Sequence, residues 1–268
     1  MHRMLPFDPT AVRVIDLERP RRSSDPIHPG HVPPGYNYLL HRHHEPIPGD
    51  ARSSAAGVIV QSDHAGTHID AFAHQAEDLR CYGGRDPREI LSGFGFSELG
   101  AETIAPIVTR GILIDLVRHR GAPVAAGTLV GLEEVQAAAA AQCVEPQAGD
   151  VVLVRTGNGR NWHDAATYLA GPGMAPEVSE WVAGHRVLAA GADNVAWDAQ
   201  GPRNEGLPFS LPGHVILLVR SGIHILENLD LEELGEAGAT EFVLVCLPLK
   251  LVGATGSPIR PVALLSTS

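Results

Sequence analysis

An α/β domain in which helices cover a mixed β-sheet is the fold that this 268-residue sequence predicts. Short aliphatic runs typical of buried strands alternate with stretches of helical composition, and this alternation is the first observation. The second is that no internal repeat and no Ser/Gly-rich or charged linker interrupts the pattern, so we predict one domain over residues 1–268. A chain of this length buries roughly 75 % of the surface of its unfolded form and needs no disulfide or structural metal to fold.

The predicted strands are aliphatic or β-branched runs bounded by polar residues, Gly or Pro. They are Val12–Leu17, Gly57–Gln61, Gly111–Val117, Asp150–Thr156, Val187–Gly191, Ile223–Leu226 and Glu241–Leu247. Three helices are predicted from an Ala-rich run with an acidic first turn, from a Pro near a helix start and from composition. They are Leu132–Gln142, Pro176–His185 and Leu231–Ala237.

The segment His214–Ser221 is ambiguous. Its VILLV run suits a strand, but the spacing of its apolar residues suits a helix. We favour a helix that ends at Gly222.

An irregular arm is predicted over residues 20–50, which contain seven prolines and three glycines. An irregular segment of this length is uncommon inside a domain and tends to be functional, although a plain surface loop is the alternative. Histidines and tyrosines are frequent in it: His28, His31, Tyr36, Tyr38, His41, His43 and His44. Whether the arm is a lid, a contact for a partner or neither stays open.

Composition excludes several classes of protein. Lys and Arg number 20 against 31 Asp and Glu, a net charge of −11, so a nucleic-acid-binding surface is not expected. Apolar runs such as Val215–Val219 are far too short to cross a bilayer, and the N-terminus lacks the apolar core of a secretory signal. Cys81, Cys143 and Cys246 are interpreted as buried thiols of a reducing compartment. We therefore expect a cytoplasmic protein that binds a small molecule, without a nucleic-acid or membrane partner.

The densest chemical signal is SDHAGTHIDAFAH at residues 62–74. In an extended strand His64 and His68 would lie about 13 Å apart, too far to share one ion. In a helix these two would be neighbours, but Asp70 would face away from them. A bend at Gly66, which lacks a Cβ atom, removes the difficulty. We predict an irregular strand-to-turn segment that folds His64, His68 and Asp70 around a divalent metal.

The donor atoms of this predicted site suit Zn, Mn or Fe, because they are imidazole nitrogens and a carboxylate oxygen without a thiolate. Three protein ligands leave positions for water, as in catalytic sites, where the metal lowers the pKa of water towards about 7 and supplies hydroxide. His74, four residues beyond Asp70, is placed to shuttle a proton. The alternative is that one or more of these histidines is only hydrogen-bonded.

The run HAGTHIDAFAH resembles the H-x-G-T-H-x-D-x-P-x-H signature of the cyclase family of metal-dependent hydrolases, which includes bacterial kynurenine formamidase and isatin hydrolase. Phe72 stands where the signature has proline. Similar stretches follow downstream: GDVVLVRTG, PGMAPEVSEWV, GADNVAWD, GIHILENL and LPLKLVGATGSPIRPVA. The resemblance implies a fold of the swivelling β/β/α type, a homo-oligomer, and hydrolysis of an amide or ester bond in a small molecule.

The resemblance also assigns roles to residues. It implies that His64, His68 and Asp70 bind metal, that His74 is the general acid/base, and that His214 and Glu227 complete a second metal site in dinuclear members. One or two Zn²⁺ or Mn²⁺ ions per chain are expected. Three further residues are candidates for substrate binding, with core packing or a salt bridge as the alternative for each: Phe72, Trp197 and Arg260.

The predicted reaction is attack of a metal-bound hydroxide on a small amide or ester carbonyl, with His74 passing the proton to the leaving atom. The departure at Phe72 and the long arm favour a cyclic amide, imide or lactone as substrate. One alternative is an aryl-formamidase that acts on N-formylkynurenine. An alternative of another class is a non-catalytic, metal-containing module that binds a small acid.

Overall fold

A nine-stranded mixed β-sheet forms the centre of the molecule. The computed structural model describes residues 11–31, 35–200 and 210–267. In this part of the chain the strands are β1 Val12–Asp16, β2 Tyr36–Arg42, β3 Ala56–Gln61, β4 His68–Asp70, β5 Leu91–Ser92, β6 Gly95–Phe96, β7 Ile107–Asp115, β8 Leu129–Val130, β9 Val151–Arg155, β10 Gly173–Met174, β11 Ala189–Ala192, β12 His224–Glu227, β13 Glu241–Cys246, β14 Gly256–Pro258 and β15 Val262–Ser266.

The helices of the same ranges are short. They are α1 Pro87–Ile90, α2 Leu116–Arg120, α3 Leu132–Ala141, α4 Ala165–Leu169, α5 Pro176–Gly184, α6 Pro212–His214 and α7 Glu232–Glu236, together with a π-helical segment Val215–Ser221 and 3₁₀ turns at Tyr82–Gly84, Ala101–Thr103 and Asn158–Asn161. None of the helices in the described ranges is long and apolar enough to cross a bilayer.

The strand order of the large sheet is β1-β15-β13-β7-β9-β11-β12-β4-β14. The four strands from β7 to β12 are parallel, and antiparallel strands flank them on both sides. Because side chains alternate along a strand, Val152 and Val154 of β9 join the hydrophobic cluster under α3 and α5, whereas Val151 and Leu153 join the cluster under α7. Helices thus cover both faces, and the predicted single α/β domain with a mixed sheet is confirmed.

Most predicted elements are present with small shifts of their ends, and one strand begins well before its predicted start. The predicted strand Gly111–Val117 begins earlier, at Ile107, and ends at Asp115. Asp115 ends it because its carboxylate accepts a hydrogen bond from the backbone N–H of Arg118 and so begins α2. The ambiguous segment His214–Ser221 is helical, as favoured, and ends at Gly222 with a left-handed φ of 64°.

The prediction of an irregular arm over residues 20–50 is wrong for β2. This strand pairs antiparallel with β3, from Tyr36 opposite Gln61 to Arg42 opposite Ala56. Its sequence YNYLLHR contains no proline, and the partner strand satisfies its backbone groups. Another expectation also fails, because Cys143 is exposed whereas Cys81 and Cys246 are buried.

Candidate metal centre

The segment between β3 and β4 turns sharply at Gly66, which has a positive φ of 62°. Arg21 holds this turn, since its guanidinium donates hydrogen bonds to the carbonyl oxygens of Ala65, at 2.5 Å, and Thr67, at 2.6 Å. A Cβ atom at Gly66 would lie 2.9 Å from the Arg21 Nη1 atom. The bend predicted from the sequence is present, and it lets His64 fold back towards β4.

The side chains of this segment meet next to Glu227 of β12. β4 lies between β12 and β14, and His68 is opposite Glu227 in the register. The Nδ1 atom of His64 lies 2.9 Å from Oδ1 of Asp70. The Nε2 atom of His68 lies 3.5 Å from the same oxygen and 3.3 Å from Oε2 of Glu227.

His214 approaches the two carboxylates from the junction of α6 and the π-helical segment. Its Nε2 atom lies 3.3 Å from Oε1 of Glu227 and 3.7 Å from Oδ2 of Asp70. All five side chains are almost fully buried. The structure thus brings together the five residues for which a metal-binding role was expected, and Asp70 and Glu227 lie between the imidazoles.

The donor atoms fit a divalent cation. His64, His68 and Asp70 each offer one ligand atom within 4.8 Å of the others, and so do Asp70, His74 and His214. Within the described residues, four of these buried atoms have no hydrogen-bond partner: His64 Nδ1, His68 Nε2 and both carboxylate oxygens of Asp70. Unpartnered buried polar atoms are rare, because each loses its hydration without compensation. A cation bound between them would supply the missing partner.

The opposite edge of each imidazole is held by a hydrogen bond, as is usual for histidines that bind metal. His68 Nδ1 donates to the carbonyl oxygen of Gly66 at 2.8 Å, and His214 Nδ1 donates to Oδ2 of Asp198 at 2.7 Å. His64 Nε2 donates to Oγ1 of Thr255 at 2.9 Å. These contacts assign the tautomers, and each leaves the remaining ring nitrogen directed at the carboxylates.

Two buried carboxylates dominate the electrostatics of the cluster. Burial opposes ionisation of Asp70, but the nearby imidazoles of His74, His64 and His68 hold its pKa well below its ordinary value. Burial and Asp70 likewise oppose ionisation of Glu227, yet the imidazoles of His214 and His68 beside it lower its pKa to about 2. Both groups are therefore anionic near neutral pH, which favours a divalent cation.

The pKa values of two imidazoles in the cluster shift in opposite directions. Burial opposes protonation of His68, but the carboxylates of Asp70 and Glu227 beside it raise its pKa to about 10, so that a proton occupies the ring when no cation does. Metal binding there must release this proton. For His74 the effect of burial exceeds that of the nearby carboxylates and lowers the pKa to about 3, so this ring is neutral at pH 7.

A cavity of about 190 Å³ opens onto the cluster. It is lined by His28, Gly30, His31, His74, Gln75, Ala196, Leu211, His214 and Glu227. His74 therefore borders the space in which a small ligand would lie beside the carboxylates.

The structure places the three substrate-binding candidates outside this lining. Phe72 stacks on His224 at 4.1 Å between ring centroids and packs against the core. Trp197 is fully buried, and its indole donates a hydrogen bond to Ser179. Arg260 is exposed and forms a salt bridge with Asp16, which is the alternative considered for it.

Several residues next to the cluster were not assigned to it in the sequence analysis. Asp198, Thr255 and Asp63 hold histidines of the cluster directly or through one another. His28 and His31 of the arm line the cavity. Asp198 lies in the stretch GADNVAWD and Thr255 in LPLKLVGATGSPIRPVA, two of the stretches that resemble the cyclase family. Only the fold brings these two residues to the histidines.

Comparison with known proteins gives consistent results. Residues 15–199 match the Cyclase family model, described as "Putative cyclase". Kynurenine formamidase from Polaromonas naphthalenivorans is 27% identical over 254 residues, which cover 94% of this chain and 90% of that protein. Isatin hydrolase from Roseibium aggregatum is 26% identical over 220 residues, covering 77% of this chain and 73% of that protein.

A solved structure agrees in fold. The crystal structure of a novel cyclase superposes with a TM-score of 0.83 at 26% identity, over 96% of this chain and 91% of that one. The matched family model includes the segment with His64, His68, Asp70 and His74 and extends over more than half of the sequence. The chain belongs to the Cyclase family.

Proposed function

We propose that this chain is a metal-dependent hydrolase that cleaves an amide or ester bond at the carbonyl of a small molecule. The observation that carries the proposal is the buried cluster in which His64, His68 and Asp70 point unpartnered ligand atoms at one another beside an open cavity. The relatives named kynurenine formamidase and isatin hydrolase are hydrolases of amide bonds, and they support the same reaction class.

The metal ligands in this proposal are His64 Nδ1, His68 Nε2 and a carboxylate oxygen of Asp70. His214 Nε2 and Glu227 complete a second site, so each chain binds one ion or, when this site is also filled, two. Zn²⁺ or Mn²⁺ suits this set, because its donors are imidazole nitrogens and carboxylate oxygens. A divalent cation in such a site lowers the pKa of water and polarises a carbonyl oxygen.

His74 serves as the proton donor and acceptor. Its neutral ring borders the cavity and lies 4.0 Å from the ring of His64 between centroids. In hydrolysis it takes a proton from the attacking water and gives it to the leaving nitrogen or oxygen as the bond to the carbonyl carbon breaks. The oxygen of the water remains on that carbon.

A cyclic amide, imide or lactone is the substrate class that we favour. The cavity is small, and the part of its lining that the structure describes carries no charged group except Glu227 and the histidines. The alternative is an aryl-formamidase of N-formylkynurenine, which the relatives of that name support. An absorbance assay on both substrate types separates the two.

The test combines metal analysis with turnover. Wild-type protein, purified without added metal, is analysed by plasma mass spectrometry and assayed on a panel of lactones, imides and formamides. Asp70→Ala should lower metal affinity by roughly tenfold or more, because even residues that only support a ligand change affinity by about 10–100-fold. Glu180→Ala, which changes an exposed carboxylate on α5, is the control.

Two outcomes would contradict the proposal. Metal content that Asp70→Ala leaves unchanged refutes the ligand assignment. Bound metal without turnover on any member of the panel favours the non-catalytic binding module instead.

We also propose a homo-oligomer in the cytoplasm. The β2–β3 hairpin exposes apolar side chains on both strands, including Leu39 at 65% and Ile59 at 60% exposure, and a second copy would cover them. Three free cysteines suit a reducing compartment. Light scattering measures the mass of the particle in solution and tests the proposed oligomer. We expect a lower mass for Ile59→Asp than for wild type.

A further inference from the structure

The arm reaches the candidate metal centre through one short turn. His28, Gly30 and His31 line the cavity on the side facing His74 and His214. The turn closes on itself, because the backbone N–H of His31 donates to the carbonyl oxygen of His28 at 2.9 Å. Thus residues from a segment far outside the histidine-rich motif border the space that a substrate would occupy.

His28 fixes this turn. Its Nδ1 atom accepts a hydrogen bond from the N–H of Gly30 at 3.0 Å, and its Nε2 atom donates to Oε1 of Gln200 at 2.9 Å. Both ring nitrogens are therefore used, and His28 anchors the arm to the chain that follows Trp197.

His31 is different, since the described residues offer no hydrogen bond to its ring nitrogens. Its ring stacks on His64 at 4.6 Å between centroids and 5° between planes. Imidazole lone pairs lie in the plane of the ring, so two parallel stacked rings cannot both direct a lone pair at one ion about 2 Å from each nitrogen. Although the nitrogens of His31, His64 and His74 lie within 4.8 Å of one another, His31 is thus not a metal ligand together with His64.

The charge and size of the cavity limit which ligands can contact His31. The lining residues in the described ranges include no Lys or Arg, and they include the carboxylate of Glu227. A substrate with a free carboxylate would face the carboxylate of Glu227 and would find no Lys or Arg among these lining residues. The volume of about 190 Å³ also lies below the roughly 300–1,000 Å³ of sites for drug-sized ligands. A small uncharged ring fits both limits.

We propose that His31 is a specificity-determining residue of this site: a ring nitrogen of His31 hydrogen-bonds the second polar edge of a small, uncharged cyclic imide whose first carbonyl faces the metal ligands. The proposal rests on the proposed hydrolase function. A polar group built to bind one substrate group discriminates against analogues that lack it, because the protein group is then left unpaired. The arm would in this way select substrates without taking part in metal binding.

The test compares phthalimide with isoindolin-1-one, a lactam that lacks one of the two carbonyl groups of phthalimide. Calorimetry measures the binding of both to the metal-loaded protein, and kcat/KM is measured for the imide. His31→Phe keeps an aromatic ring to stack on His64 but has no nitrogen, whereas His31→Gln restores a polar group. His43→Ala, at an exposed histidine of the same arm, is the control.

The expected result is that wild type and His43→Ala bind the imide about tenfold more tightly than the lactam, the effect of one hydrogen bond. His31→Phe abolishes this preference with unchanged metal content, and His31→Gln restores part of it. An imide preference that survives in His31→Phe overturns the proposal. So does equal weakening of both ligands, loss of metal in this variant, or failure of wild type to bind either compound. If binding depends on His31 but no imide is hydrolysed, the binding role stands and imide hydrolysis is refuted as the proposed reaction.

Discussion

Replacement of Asp198 by asparagine tests how the fold holds His214. The Asp198 carboxylate is almost fully buried and accepts three hydrogen bonds. Its Oδ1 atom receives the N–H of Gly213 at 2.6 Å, and Oδ2 receives the N–H and the Nδ1–H of His214 at 3.0 and 2.7 Å. The three contacts begin α6 and orient the imidazole towards Glu227.

An asparagine at this position would keep the shape of the side chain but has only one accepting oxygen. If that oxygen takes the place of Oδ2, the amide NH₂ faces the N–H of Gly213, so one charge-assisted bond is lost and the other two lose their ionic character. One hydrogen bond to a charged group contributes about 1.5–3 kcal/mol, and we expect Asp198→Asn to lower the free energy of unfolding by about 2–4 kcal/mol.

Denaturation in urea measures this change, and titration with Zn²⁺ or Mn²⁺ measures its effect on metal binding. Because the contact that orients His214 loses its ionic character, we expect metal affinity to fall towards the roughly 10–100-fold loss that follows when such a supporting contact is removed. Asp164→Asn is the matched control, because Asp164 caps α4 at the surface, where water replaces the lost contact. The reasoning is refuted if Asp198→Asn unfolds within about 0.5 kcal/mol of wild type and binds metal with the same affinity, since a change of that size is usual for a neutral surface substitution.

Further predictions concern the turn, the core and the dependence on pH. Gly66→Ala should destabilise the fold by about 1–2 kcal/mol and weaken metal retention, because a left-handed φ strains an L side chain; equal stability in thermal melts would contradict this. Arg155→Met should cost about 3–5 kcal/mol in urea denaturation, because it leaves the carboxylates of Asp115 and Glu232 without their buried partner, and a loss below about 1 kcal/mol would show that solvent compensates them. Burial raises the pKa of Cys246 from 9.0 to about 12, so the unfolded chain releases this proton first and stability falls as pH rises above about 9. At pH 10 the titration of this group lowers the free energy of unfolding by about 1.4 kcal/mol. Between pH 8 and 10 the free energy of unfolding of Cys246→Ala should therefore fall by about 1.4 kcal/mol less than that of wild type.

The sequence predicted the elements of the fold well where local chemistry decides them. The helix Leu132–Ala141 follows from alanine propensity, and the strand Val151–Arg155 from a continuous aliphatic run that is buried on both faces. The prediction failed for Tyr36–Arg42, because the prolines around that strand suggested irregular backbone while its stability comes from pairing with Ala56–Gln61, a contact between segments.

In the candidate site, too, the sequence predicted what depends on neighbouring residues and missed what depends on contacts across the fold. The spacing of His64, His68 and Asp70 with a glycine between them was enough to predict a bent segment, because neither a helix nor a strand could bring these side chains together. The contribution of His214 and Glu227 entered only through the family resemblance, since nothing local distinguishes them. Asp198 and Thr255 were not assigned to the site at all, because a hydrogen bond across the fold leaves no periodic signal in sequence.

By itself the sequence determined the alternation of strands and helices, the acidic balance and the histidine-rich turn, all of which depend on neighbouring residues and backbone preferences. Only the tertiary structure decided which distant groups surround that turn. It placed Glu227 opposite His68 by strand register, brought His214 in from the helix junction, and carried His31 of the arm onto the ring of His64. The physical reason is that burial and strand pairing act between segments far apart in the chain, and the depth at which the carboxylates and imidazoles meet controls their charge.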